Sequence, residues 1–220
     1  MIWEKEPKVW PRAIWCNGFF ETTEKVSHYP SHPLSIEKSI ERYGADATRI
    51  ILADAGDSLE DAYFSSSAAD NAVLKLWQLE LWIREAATNF SKLRDTNDDV
   101  QANTKFVDTV FLSQLELTLA NVDKAYETMQ FREVLRHGFF ELISLKEDYK
   151  IQCGENKMRK DIFLKYLETQ LLVMYPIIPH FSEIMWRKYY LPCLPIGHDK
   201  PEFISHHRWP SVIAIQFQLD

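Results

Sequence analysis

From Ser35 to Tyr175 the chain runs without a proline, and along most of that length its apolar residues recur at intervals of three and four. That spacing is the 3.6-residue period of an amphipathic helix, and it excludes a half-buried, alternating sheet for the same residues. The stretch from about Ser66 to Arg94 carries it most plainly, with Ala69, Val73, Leu76, Leu79, Ile83, Ala87, Phe90 and Leu93 on one stripe. A single helix there would be about 43 Å long at the usual rise, enough to cross a domain. A second long helix is predicted from about Thr104 to Thr128 on Phe106, Val110, Leu117 and Ala125. Another uses Phe131, Val134, Leu135, Phe139, Leu142, Leu145 and Tyr149, and a further one Ile162, Tyr166, Leu171 and Tyr175. Short connections between long helices make antiparallel neighbours. The expected fold class is mainly α, an antiparallel helical bundle.

The flanks differ. Residues 1–34 hold Pro7, Pro11, Pro30 and Pro33 with Gly18, aromatics and β-branched residues between them, the composition of loops and short strands. Ser35 is a predicted N-cap for a helix with Ile36 and Ile40 on one face, ended by Gly44, where a left-handed backbone is needed. Asp46 is the predicted cap of a second short helix through about Ala55, stopped by Gly56. Pro179 suits the first turn of a last helix reaching about Tyr190, because its missing N–H costs nothing there. Pro192, Pro195, Gly197, Pro201 and Pro210 then make the tail irregular. The resulting division is 1–34, loops and strands; 35–64, connecting helices; 65–190, the bundle; 191–220, the tail.

With 46% hydrophobic and 26% charged residues, the chain has the composition of a water-soluble globular protein. A chain this long buries roughly 70% of its unfolded surface, so it needs neither a metal nor a disulfide to hold its fold. Cys16, Cys153 and Cys193 are odd in number and far apart, with no metal-ligand spacing, and read as reduced thiols of an intracellular protein. The first residues carry no signal-peptide pattern, and runs such as Leu171 to Tyr175 fall far short of the ~20 apolar residues of a membrane span. No membrane association is expected, and the expected location is cytoplasmic.

A net charge of -7 argues weakly against a free-standing nucleic-acid binder, but the charge is unevenly spread. Residues 41–128 hold 8 basic and 16 acidic side chains, whereas 129–190 hold 10 and 8. In the second half Lys157, Arg159 and Lys160 cluster at the start of a predicted helix, with Arg132, Arg136, Lys146, Lys150 and Lys165 near in sequence. Cations at a helix N-terminus oppose the macrodipole, so another force must hold them there. A phosphate backbone is one candidate; a solvated loop is the plainer one. We take Lys157, Arg159 and Lys160 as candidate nucleic-acid-binding residues.

No P-loop, GxSxG, HExxH or Gly-rich strand-to-helix turn occurs, and Glu60 and Asp61 read as solvated charges or caps near a turn. Several short strings do stand in a telling order. Trp10-Pro11-Arg12-Ala13 with Asn17-Gly18, Gly44-Ala45-Asp46-Ala47-Thr48-Arg49, Leu52-Ala53-Asp54-Ala55-Gly56-Asp57, and Glu60-Asp61-Ala62 with Phe64 come first. Phe131-Arg132-Glu133, Pro179-His180 with Glu183 and Trp186, and Trp209-Pro210 follow. In this order and spacing the chain resembles the cytosolic-type leucyl-tRNA synthetase of eukaryotes and archaea over nearly its whole length. Residues 52–64 are the part resembling the leucine enzymes, and not the isoleucine, valine or methionine ones.

The resemblance implies an end piece of a class I catalytic domain, its signature loop, and an anticodon-binding-type helical domain. It also implies ATP as the family's cofactor, leucine tRNA as partner, and membership in leucyl-tRNA aminoacylation. Where the family has KMSKS and TGN, this chain reads Lys25-Val26-Ser27-His28-Tyr29 and Pro30-Ser31-His32. The family's second loop lysine stabilises developing triphosphate charge; a neutral imidazole at His28, with an ordinary pKa near ~6.5, supplies little of it. Lys25, Ser27 and His28 are therefore candidate nucleotide contacts of a degenerate loop, no residue is named as catalytic, and tight ATP binding by the chain alone is not expected. The HIGH string, the rest of the Rossmann fold and the editing domain would all precede Met1. The expectation is a chain inactive alone that contributes a tRNA-binding domain. The alternatives are one subunit joined to a separate catalytic half or a multi-synthetase assembly, and a non-catalytic tRNA- or protein-binding module.

Overall fold

The computed structural model describes residues 20–22, 36–57, 62–95, 102–154 and 158–210. The candidate loop residues Lys25, Ser27 and His28, and Lys157 of the basic cluster, lie outside them.

Helices α1 (Ile36–Tyr43) and α2 (Ala45–Asp54) are joined by Gly44 at φ +83°, the left-handed position anticipated for it. The buried face of α1 is not the expected one. Ser39 and Tyr43 turn inward, the Ser39 hydroxyl meeting Thr48 Oγ1 at 3.0 Å, while Ile36 and Ile40 are 69% and 44% exposed. Residues 35–64 are not all helix either. β1 (Phe20–Thr22) and β2 (Ala62–Phe64) form a parallel pair, with Phe20 opposite Ala62 and Thr22 opposite Phe64.

Four long elements then form the bundle. They are α3 (Ser66–Thr88), α4 (Ala102–Glu127), the continuous helix built from α5 (Phe131–Leu135), a π-helical turn (Arg136–Glu141) and α6 (Leu142–Cys153), and α7 (Lys160–Met174). Ser65 caps α3 by accepting from the Ala68 amide. This helix stops short of the predicted Arg94, and at its end Thr88 and Asn89 turn their side chains back onto the carbonyls of Arg84 and Glu85. A 3-10 turn (Phe90–Lys92) follows, and Arg94 leaves it in extended backbone to bridge Arg159.

Contacts along the helices fix their directions. Phe111 packs on Tyr149 at 4.4 Å between ring centres, so the start of α4 lies beside the end of α6. Tyr126, near the end of α4, donates to the carbonyl of Val173 near the end of α7 at 2.7 Å, so those two helices run parallel. Trp82, late in α3, meets Phe163 and Tyr166, early in α7. The order is up, down, up, down, the expected antiparallel stack. The π turn has a use: the carbonyl of Gly138 within it accepts from the buried Gln170 amide at 2.7 Å, a bond an unbroken ladder would compete for.

The core stripe of α4 sits about one residue away from the predicted one. Val107, Phe111, Leu115, Leu119, Val122 and Ala125 are buried, whereas Phe106 and Leu117 are 66% and 64% exposed. Beyond α7, α8 (Pro179–Met185) begins at its proline and continues through a second π-helical turn (Trp186–Tyr190). The irregular tail is tied down. Trp186 Nε1 donates to the Pro201 carbonyl at 3.0 Å, the Ile204 amide donates to Glu183, and Trp209 Nε1 donates to Asp123 at 2.6 Å with its ring edge-on to Tyr126.

Asp46 does not cap its own helix; Gly44 occupies that position without a side-chain bond. Instead Asp46 Oδ2 accepts from the backbone N–H of Phe181 at 2.7 Å, capping α8 from across the fold, while Oδ1 takes Arg49 at 3.0 Å and lies 3.4 Å from His180 Nδ1. Two strings far apart in sequence, around Asp46 and around His180, thus meet at the end of the bundle where α1 and α2 attach. Asp46→Ala is expected to lower stability by about 1 kcal/mol as a lost cap. Arg49→Ala, removing a pair whose arginine is 43% exposed, should cost less. Urea unfolding of the two variants checks that order.

Candidate functional site

The opposite end of the bundle gathers the end of α3, the start of α4, the end of α6 and the start of α7 around one carboxylate. Asp108 is 2% exposed. Arg94 Nη2 reaches its two oxygens at 2.7 and 2.8 Å, the Tyr149 hydroxyl donates to Oδ1 at 2.5 Å, and Arg159 Nη1 donates to Oδ2 at 3.2 Å. The backbone reinforces the meeting: the Arg94 amide donates to the Met158 carbonyl, and the Lys160 amide to the Arg94 carbonyl at 2.9 Å. One side chain thus ties α4 to α6 and to the segments that follow α3 and precede α7.

Burial works against the charge on Arg94, but the hydrogen bond and field of Asp108 outweigh it and raise its pKa. The Tyr149 hydroxyl is driven up by burial and then by its bond to Asp108, so it remains a donor. Arg159 is raised mainly by Asp161, which it contacts at 2.6 and 2.8 Å, with a further contribution from Asp108. For Asp161, burial pushes the carboxyl up, but the bond from Arg159 prevails and holds it below the ordinary value.

These contacts answer what holds cations at the start of α7. Arg159 is engaged by Asp108 and Asp161, and Lys160 Nζ meets Asp95 at 2.8 Å. The side chains of Arg159 and Lys160 keep 19% and 24% of their exposure, so in-chain carboxylates occupy them without hiding them. Lys165 likewise pairs with Glu116 at 2.5 Å, and Arg136 pairs with Glu133 and Glu141. Lys146 is buried, 4.3 Å above the ring of Trp82 and paired with Glu147; burial lowers its pKa below the ordinary lysine value. Lys150, one turn on, is exposed and pairs with no carboxylate among the described residues. Beside it lies a cavity of about 220 Å³ lined by Trp82, Ala86, Leu93, Gly154, Met158 and Phe163. Among the described residues no group of three or more His, Cys, Asp and Glu side chains could hold a metal, and no helix is long and apolar enough to cross a membrane.

Sequence reasoning missed Asp108, Arg94 and Tyr149 as one unit. A signal existed. Asp108 stands among the inward positions Val107, Phe111 and Leu115, and a carboxylate on an apolar stripe calls for a buried partner. The misplacement of that stripe by one residue put Asp108 outside the predicted core.

Removing Asp108 strips the buried Arg94 of the carboxylate it holds at 2.7 and 2.8 Å, so Asp108→Ala is expected to cost about 3–5 kcal/mol. Tyr149→Phe, which loses one hydrogen bond to a charged group, should cost about 1.5–3 kcal/mol. Urea titration monitored by tryptophan fluorescence measures both. Because the folded carboxyl of Asp161 is held below its unfolded value, its contribution is present above the ordinary carboxylate range and is lost as pH falls through the folded value. Asp161→Asn should therefore flatten part of the acid limb of the stability curve.

Residues 108–219, from Asp108 itself to the end of the tail, match the family described as the anticodon-binding domain of tRNA ligase. Over longer stretches the chain is similar to cytoplasmic leucine–tRNA ligases. It is 36% identical to that of Arabidopsis thaliana across 81% of its length and 34% identical to that of Pongo abelii across 95%. Against that of Dictyostelium discoideum it is 36% identical across 97%. It spans only 16%, 17% and 19% of those relatives' own lengths. With a four-helix stack in place and the family match beginning at the carboxylate that joins its helices, the chain belongs to the anticodon-binding-domain family of tRNA ligases.

Proposed function

We propose that this chain is the tRNA-binding helical part of a leucine-specific tRNA ligase and serves the ATP-dependent ligation of leucine to tRNA without performing it alone. The observation that carries the reading is the family match over residues 108–219, joined to leucine-ligase similarity that extends over 81–97% of the chain in three relatives. The proposed partner is leucine tRNA, in the cytoplasm, as the relatives' names state for them. Leucine activation would be supplied by a catalytic half outside these 220 residues, joined covalently or as a separate subunit.

The chemistry of the residues supports this division. His28 stands where the triphosphate-stabilising lysine of a KMSKS-like loop would be, next to Lys25 and Ser27, and a neutral imidazole cannot offset growing negative charge at neutral pH. In the bundle, Arg159 and Lys160 hold half-open positions from which each could exchange a carboxylate for a phosphate oxygen. Lys150, exposed one turn beyond Lys146, forms no ion pair among the described residues. Such contacts give affinity without reading sequence.

Binding of leucine tRNA to the isolated chain is expected to weaken steeply with salt, because each neutralised phosphate releases counterions. Filter binding between 50 and 200 mM salt tests it; an affinity unmoved by salt, or none at low salt, overturns the reading. In the same preparation, leucine-dependent ATP–pyrophosphate exchange should stay at background, and robust exchange would contradict the assignment of catalysis elsewhere.

A further inference from the structure

We propose that Asp161 and Asp95 are in-chain stand-ins for RNA phosphate: they occupy the cations at the start of α7 and are displaced when RNA binds. This rests on the tRNA-binding reading above and names the groups that hold its affinity down.

The contacts of Arg159 decide which side of its guanidinium opens. Nη1 donates to Asp108 Oδ2 at 3.2 Å, and that carboxylate is buried and held by Arg94 and Tyr149, so it stays. Nε and Nη2 form the two-pronged face that matches a carboxylate or a phosphate, and Asp161 fills it at 2.6 and 2.8 Å. The Asp161 side chain is 49% exposed, so a rotation of that side chain is enough to vacate the fork.

Lys160 repeats the arrangement. Its Nζ meets Asp95 at 2.8 Å, and the Asp95 side chain is 65% exposed. Backbone bonds build this closeness. The Arg94 amide donates to the Met158 carbonyl at 3.2 Å and the Lys160 amide to the Arg94 carbonyl at 2.9 Å, which sets residue 95 beside residue 160. Neither bond uses an acidic side chain, so the cations keep their places when the carboxylates swing away.

A purely structural role makes the opposite prediction. If Asp161 and Asp95 only offset cations that oppose the dipole of α7, removing them loosens Arg159 and Lys160 and leaves RNA binding unchanged or weaker. Under competition a phosphate oxygen must first evict a carboxylate, so neutralising that carboxylate strengthens binding. Salt gives a second signature. An evicted carboxylate takes up cations from solution and cancels part of the counterion release from the RNA, so the parent chain has a shallower salt dependence than a variant without it.

The test is filter binding of leucine tRNA to the full 220-residue chain and to Asp161→Asn and Asp95→Asn, compared where the thermal unfolding midpoint matches the parent. Asp95→Asn, which alters the more exposed side chain, decides alone if Asp161→Asn does not keep the midpoint. Each variant is expected to bind several-fold more tightly, with a salt slope steeper by about 1. Glu202→Gln is the control for net charge, because it removes one negative charge from an exposed pair with Arg187 on the tail; it should shift affinity less than about twofold and leave the slope unchanged. If the parent binds tRNA with steep salt dependence and the Asp variants bind no more tightly than Glu202→Gln, the displacement proposal falls while the tRNA reading stands. If the parent binds no tRNA, both fall.

Discussion

Everything at the far end of this fold depends on satisfying the buried carboxylate of Asp108. A carboxylate at 2% exposure is tolerable only when its oxygens are satisfied, and here Arg94, Tyr149 and Arg159 satisfy them from three other elements. The consequence is geometric: helices whose apolar faces could slide past one another by a turn are locked in register. Apolar packing of Phe111, Phe139, Phe163 and Tyr166 supplies the stability of the stack, and the ionic joint supplies its alignment.

The joint also determines what the surface can offer. By drawing Arg159 and Lys160 to the start of α7 and answering them with Asp108, Asp161 and Asp95, the fold holds cations at a helix N-terminus that the macrodipole disfavours. Their partners are close, so the charges are positioned at the start of α7. Lys150 lies outside this exchange, beside the cavity bounded by Trp82 and Phe163. At the other end Asp46 plays a related part by capping α8 through the Phe181 amide, and the two carboxylates together hold the bundle at top and bottom.

Much of the architecture was legible in the residues. The period of three and four located the long helices, and Gly44 and Pro179 marked ends that the structure keeps. What escaped was whatever depends on distant partners. The α4 stripe was read through Phe106 and Leu117 because a large apolar side chain looks like core, yet the helix turns Val107 and Phe111 inward instead. Asp46 was read as a local cap because the local pattern fits one, and its true amide partner lies 135 residues away. The basic cluster was visible as composition, but its carboxylate partners come from α4 and from the segment after α3, which no local spacing reveals.

The most direct measurement is amide hydrogen exchange of the 220-residue chain with and without leucine tRNA. Contact at the Asp108 end requires slowed exchange in the peptides around Lys92, Lys150 and Lys160, with little change near Asp46 and Phe181. Protection confined to the Asp46 end, or unchanged exchange at saturating tRNA, would contradict the placement of the RNA on this end of the bundle.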